Sequence, residues 1–271
     1  MPHLDVDGAS LYYETAGDPA APALLLIHAG IANLRMWDPI VPALAADHHV
    51  IRFDTRGFGQ TATQNVGFSD RADALSVLDA LDVHKATVIG ASRGGGIAID
   101  LALESPGRVR GLVTVGSGPS GFPELDMTDR EDELFDEIDV AFEARDWERM
   151  LRLEAAVWDF GPERDPATLD PAFVETAYAL NLANLPHVEE NPTPVRLDPP
   201  AYDRLSDITV PALVIVGEYD LSPVLAESEF LASNLPDADT VRFRNAAHLP
   251  SVEHPGEFTR VVRDWLGQRG L

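Results

Sequence analysis

The chain has 271 residues, 45 of them acidic against 20 lysines and arginines, for a formal net charge of −25. Nucleic acid and anionic membrane surfaces would be repelled by that charge, which excludes them as partners. There is no cysteine, so disulfides, thiolate catalysis and Cys-ligated zinc are excluded together.

No apolar run approaches the roughly 18 residues of a membrane span. The first residues, Met1-Pro-His-Leu-Asp-Val-Asp, show no basic stretch followed by an apolar one. No signal peptide is read, and the cytoplasm is the expected compartment.

Residues 10–16 read as an edge strand ahead of the turn Gly17-Asp-Pro19. Ala23-Leu-Leu-Leu-Ile27 is continuously apolar, as in a strand buried on both faces, and it ends in His28-Ala-Gly30. A helix is expected over 37–46. Residues 50–54 form the next strand, which opens into Thr55-Arg-Gly-Phe-Gly-Gln-Thr61. Ser69 caps a helix running to about Leu81, with Leu75, Leu78 and Leu81 on one face. A strand follows at Thr87-Val-Ile89, then a helix carrying Ile97, Ala98, Leu101 and Ala102, then a strand over 109–115.

This alternation predicts an α/β fold with a mostly parallel sheet and helices on both faces. It breaks at about residue 120. Residues 121–200 are rich in charge and proline and show helical patterns only, at 132–142, 147–158 and 171–182. The alternation then resumes, with strands at 212–216 and 240–244 and helices at 223–234 and 257–266. The expected organisation is a core in two parts, 1–120 and 201–271, with a helical cap inserted over 121–200.

Ligands of such sheets sit at the carboxyl ends of the strands. Gly90-Ala-Ser-Arg-Gly94 lies there and matches G-x-S-x-G between a strand and a helix. A sharp turn at Ser92 would expose its hydroxyl, and the helix N-terminus behind it favours developing negative charge. The bland alternative is a phosphate-binding turn. It lacks both the Lys-Ser/Thr of a P-loop and G-x-G-x-x-G spacing.

A serine hydroxyl is a weak nucleophile and needs a base and an orienting carboxylate. Asp220, in Gly217-Glu-Tyr-Asp220, and His248, in Asn245-Ala-Ala-His248, each follow a strand. Glu218 is the rival acid. An oxyanion needs two backbone N–H groups, which Arg93 and Gly30 would supply. His3, His48 and His49 read as surface or strand-entry residues, His187 as a residue that could line a pocket, and His254 as lying beyond the histidine loop. No histidine pair has a metal-ligand spacing.

Together these segments resemble the α/β-hydrolase superfamily over nearly the whole chain. His28-Ala-Gly30 looks like its His-Gly oxyanion loop, with Ala29 replacing the usual glycine. Asp54-Thr-Arg-Gly-Phe-Gly59 looks like its D-x-R-G-x-G turn, and 90–95 like its nucleophile elbow, with Arg93 where Met or Gln is commoner. Residues 217–220 and 247–253 look like its acid and histidine loops. The resemblance implies an eight-stranded sheet and the triad Ser92, Asp220 and His248, in that chain order. Within the superfamily the size and insertion resemble small esterases, enol-lactonases and perhydrolase-like members. Serine at the elbow, where haloalkane dehalogenases and epoxide hydrolases carry aspartate, counts against those groups.

The implied activity is cofactor-free hydrolysis of a small carboxylic ester or lactone through an acyl-enzyme on Ser92. Two alternatives use the same residues: a carbon–carbon bond hydrolase or perhydrolase, and a receptor that binds its ligand with little turnover. Burst kinetics on an ester panel separate them. Arg56 is expected to pin its loop against neighbouring carbonyls. Phe122, Phe135, Phe142, Trp147, Trp158, Phe160 and Tyr178 are candidates to line an acyl pocket. Residues 121–164 carry 15 Asp and Glu against 5 Arg, a negative roof expected to slow anionic substrates. Arg93 would reverse that preference if it faced the pocket.

Overall fold

A computed structural model describes residues 2–271. Eight principal strands form the sheet: β1 His3–Val6, β2 Ala9–Ala16, β3 Ala23–Ile27, β4 His49–Phe53, β5 Ala86–Ala91, β6 Val109–Val115, β7 Ala212–Gly217 and β8 Ala238–Phe243. Their order is β1-β2-β4-β3-β5-β6-β7-β8, and a two-residue strand at Ala62–Thr63 adds to β2. β1, β2 and β4 pair antiparallel, and every other principal neighbour pair is parallel. Residues 10–16 are therefore not at the edge: β1 covers that side. The sequence reading missed β1 because His-Leu-Asp-Val is too short and too polar to stand out.

The apolar runs separate their side chains by the two-residue period of a strand. Leu24 and Leu26 face one layer with Ile89, Val113, Leu213 and Ile215. Leu25 and Ile27 face the other with Val88, Leu112 and Val214. Helix α1 (Asp70–Ala80) and helix α2 (Arg93–Glu104) cover this second face through Val77, Leu78, Ile97 and Leu101. Ser69 caps α1 as expected, accepting the Ala72 N–H. Helix α7 (Pro255–Arg269) covers the first face through Phe258, Val262 and Trp265. In place of the helix expected over 37–46 stand a 3₁₀ turn, Leu34–Trp37, and one short helix, Val41–Leu44. Asp38-Pro39 falls between them, where proline removes a backbone donor.

Between β6 and β7 lie α3 (Asp129–Glu143), α4 (Trp147–Ala155) and α5 (Pro171–Leu182). A widened π turn, Ala156–Phe160, extends α4. The segment is not purely helical, since Thr193–Pro194 pairs with Gly67–Phe68 of the core. It is tied to the carboxyl ends of the core strands. Asn184 accepts from Gly59 N–H and donates to Ala32 O, and Asn33 donates to Leu180 O. Glu131 accepts from the N–H and hydroxyl of Ser222 at the start of α6 (Ser222–Asn234). Among the described residues no helix is long and apolar enough to cross a membrane.

Candidate active site

Ser92 stands between β5 and α2 at φ +51°, ψ −120°, a conformation that a residue with a side chain rarely adopts. Its own backbone holds it there. The N–H donates to Val115 O at 2.7 Å, and the carbonyl accepts from Gly95 and Gly96 at 2.9 and 3.1 Å. The half-buried hydroxyl side opens on a cavity of about 570 Å³, walled also by Phe135, Trp158, Leu221 and Val224.

Asp220 follows β7 and His248 follows β8. His248 Nδ1 lies 2.9 Å from both carboxylate oxygens of Asp220, and both side chains are buried. The geometry fixes Nδ1 as the donor, leaving Nε2 free to accept a proton. Glu218, the rival, points to solvent. Gly116 closes the floor: a Cβ there would sit 2.9 Å from Asp220 Oδ2 and 3.0 Å from His248 Nδ1, so no larger residue fits. Burial pulls the His248 pKa down. The charge and hydrogen bond of Asp220, helped by Asp159 and Glu227, outweigh it and raise the pKa above 6.5.

Trp158 covers His248, their ring centroids 4.8 Å apart, and its carbonyl accepts the His248 N–H at 3.3 Å. Of the seven aromatic candidates, Trp158 and Phe135 line the cavity. Phe160 and Tyr178 pack in the core, Phe142 meets Trp147 edge to face, and Phe122 packs against Tyr202 and Phe230.

Gly30 and Arg93 lie side by side. A Cβ on Gly30 would be 3.9 Å from both Cβ and Cδ of Arg93. Arg93 is the first residue of α2, so its N–H lies outside the helix ladder. Gly30 opens on a separate cleft of about 170 Å³, which it shares with Phe58 and His187. The loop is braced from below by His28, whose Nε2 accepts Thr55 N–H at 3.0 Å. Burial pushes the His28 pKa down to about 3, so the ring stays neutral. The Arg93 guanidinium edges the large cavity but is already engaged. It donates to Asp70 at 2.7 Å and to Thr55 Oγ1 at 2.6 Å, and it lies over the Phe58 ring.

Arg56 corrects its sequence reading. It meets no carbonyl; it forms a two-pronged buried pair with Asp73, at 2.7 and 2.9 Å. Losing one partner of such a pair costs about 3–5 kcal/mol, which makes the motif a structural brace. His48 and His49 are buried at the entry to β4, and His3 is exposed at the first position of β1, which fits the strand-entry reading. His187 does line a pocket, the small cleft, and it bonds Gly59 O. Among the described residues no group of three or more potential ligands could hold a metal ion.

Two carboxylates beside the pair escaped the sequence reading. Glu227 lies on α6, seven residues past Asp220, and faces the cavity. Asp159 lies in the π turn, wholly buried, with neither oxygen hydrogen-bonded among the described residues. An acid inside the apolar stretch Val157-Trp-Asp-Phe160 was the available signal. Burial, against the pull of His248 and with the push of Glu154 and Glu253, raises its pKa to about 8. The folded protein thus holds this proton more tightly than the unfolded chain, so stability falls as pH rises from about 4 to about 8. Asp159→Asn is expected to remove that fall. Its melting temperature relative to the parent should climb between pH 5 and pH 9. An unchanged difference would show that Asp159 is ionised throughout.

Residues 22–255 match the family described as the alpha/beta hydrolase fold. The chain belongs to this family, and it is a hydrolase. It is 27% identical to the pimeloyl-[acyl-carrier protein] methyl ester esterase of Aliivibrio salmonicida, over 95% of this chain and 96% of that one. It is 30% identical to the 2-hydroxymuconate semialdehyde hydrolase of Pseudomonas sp. CF600, over 96% and 90%. Among solved structures, Est816, described as an N-acyl homoserine lactone degrading enzyme, superposes with a TM-score of 0.74 at 26% identity, covering 97% of this chain and all of that one.

Proposed function

We propose that this hydrolase cleaves small carboxylic esters or lactones through an acyl-enzyme on Ser92. The observation that carries the proposal is the buried Asp220–His248 pair at 2.9 Å, on strand ends beside the strained Ser92 turn. Ser92 Oγ attacks the carbonyl carbon while His248 Nε2 takes its proton. His248 then returns the proton to the leaving alkoxide, Asp220 steadies the imidazolium, and water repeats the sequence to release the acid. The N–H groups of Gly30 and Arg93 hold the oxyanion. The segment over 121–200 is the cap, and its Trp158 lies against the His248 ring. No step calls for a cofactor. The relatives named for a methyl ester and a lactone support this substrate class.

The test is a panel of 4-nitrophenyl esters and lactones with burst kinetics, and mass spectrometry of the quenched burst. An acyl adduct on Ser92 is expected; slow turnover of every substrate without an adduct would refute the proposal and favour a receptor. Anionic analogues are expected to react more slowly than neutral ones of equal size at low salt, because the arginines nearest Ser92 are paired with carboxylates.

The pH profile follows from His248. Only the neutral imidazole can take the Ser92 proton, and Asp220 holds the imidazolium against deprotonation. The acid limb of kcat/KM is therefore expected to have its midpoint above 6.5. A midpoint well below 6 would mean that burial, not Asp220, governs the ring.

A further inference from the structure

Among the described residues Glu227 has no hydrogen-bond or ion-pair partner. Its carboxylate is only half-buried and faces the cavity that Ser92 also faces, and among the described residues nothing donates a hydrogen bond to it. Of the three arginines that line the cavity, two are committed elsewhere. Arg93 is held by Asp70 and Thr55. Arg71 is held by Glu104 and Val195 O and lies 3.9 Å from Asp100. Arg196 is exposed on the rim.

The backbone comes close to this acid. A Cβ on Gly118 would lie 2.4 Å from Glu227 Cδ and 2.6 Å from Oε2. The 116–118 loop thus borders the fixed Asp220–His248 pair at Gly116 and the end of the flexible Glu227 side chain at Gly118. Burial and the charge of Asp220 raise the Glu227 pKa, against the pull of His248. A carboxylate half out of water and without a protein donor gains from a counter-charge, and a ligand cation would supply it.

Resting on the hydrolase reading above, we propose that Glu227 is a specificity residue that binds an ammonium group on the substrate, so that the preferred esters are amino-bearing. The negative roof over 121–164 works in the same direction, concentrating cations at the mouth. Glu227 supplies the local, directional part through a charge-assisted hydrogen bond.

The experiment compares two isosteric pairs at pH 8, since either side of the ester can carry the amine. On the alcohol side the pair is 2-(dimethylamino)ethyl butanoate and 3-methylbutyl butanoate. On the acyl side it is 4-nitrophenyl 6-aminohexanoate and 4-nitrophenyl heptanoate. In the parent, kcat/KM for the ammonium member of at least one pair should exceed its neutral partner by about tenfold, mostly through KM. In Glu227→Gln that ratio should fall to about one, and Glu227→Asp should lie between.

A ratio at or below one in both pairs of the parent overturns the proposal. So does a ratio that survives Glu227→Gln, because the general potential of the cap then accounts for it. If the neutral esters are not cleaved either, the hydrolase reading fails separately. Calorimetric binding of 2-(dimethylamino)ethyl butanoate to the parent and to Glu227→Gln then decides the role of Glu227 alone. Equal affinities would overturn it.

Discussion

Ser92→Ala protein is expected to fold as the parent does and to lose ester hydrolysis by about 10³–10⁶ in kcat. The hydroxyl faces the cavity, and the bonds that pin the turn are backbone ones, from Ser92 N–H to Val115 O and from Gly95 and Gly96 N–H to Ser92 O. Alanine keeps all three, so circular dichroism and the melting temperature should stay close to the parent's. What goes is the atom proposed to carry the acyl group. Near-parental kcat in a correctly folded variant would refute the assignment of Ser92, since water attack assisted by His248 alone leaves no route to an acyl-enzyme.

Asp220→Asn is expected to lower kcat by about 10⁴, with Glu218→Gln close to the parent. The carboxylate accepts from His248 Nδ1, which forces the proton onto that nitrogen and leaves Nε2 bare to take the serine proton in the proposed step. An amide in its place can donate to Nδ1, which puts the ring proton on Nε2 and leaves the imidazolium without its counter-charge. Glu218 sits two residues earlier with its side chain in solvent, where its charge is screened. If Glu218→Gln proved the more damaging variant, the acid would have to be reassigned. The pH profile provides a second reading: without Asp220 the acid limb should move to lower pH.

What could be read from the sequence was what depends on neighbours along the chain. Ala23–Ile27, Ala86–Ala91 and Ala212–Gly217 are buried on both faces, and their unbroken apolar runs say so. Ser92 and Asp220 each follow such a strand within a few residues and His248 follows the more polar β8, so topology alone placed them at one end of the sheet. Arg56 was misread because its partner, Asp73, lies on α1, and no local rule pairs them. Asp159 and Glu227 were missed for a related reason. Which side of a helix faces a cavity is decided by how that helix docks, and α6 and the π turn of α4 dock through tertiary contacts. Trp158 was one of seven aromatics of equal standing until its carbonyl was found holding His248 N–H. Edge elements were hardest: β1 and β8 alternate between partial burial and exposure, and their polar residues hid them or blurred their limits.

That single backbone bond, from His248 N–H to Trp158 O, has a consequence for timing. The ring above His248 and the carbonyl beside it belong to one five-residue turn, so they arrive and depart together. Any outward swing of residues 156–160 would also break the bond to the loop that carries His248 and uncover its ring. Displacing the turn and loosening that loop would therefore happen at the same moment.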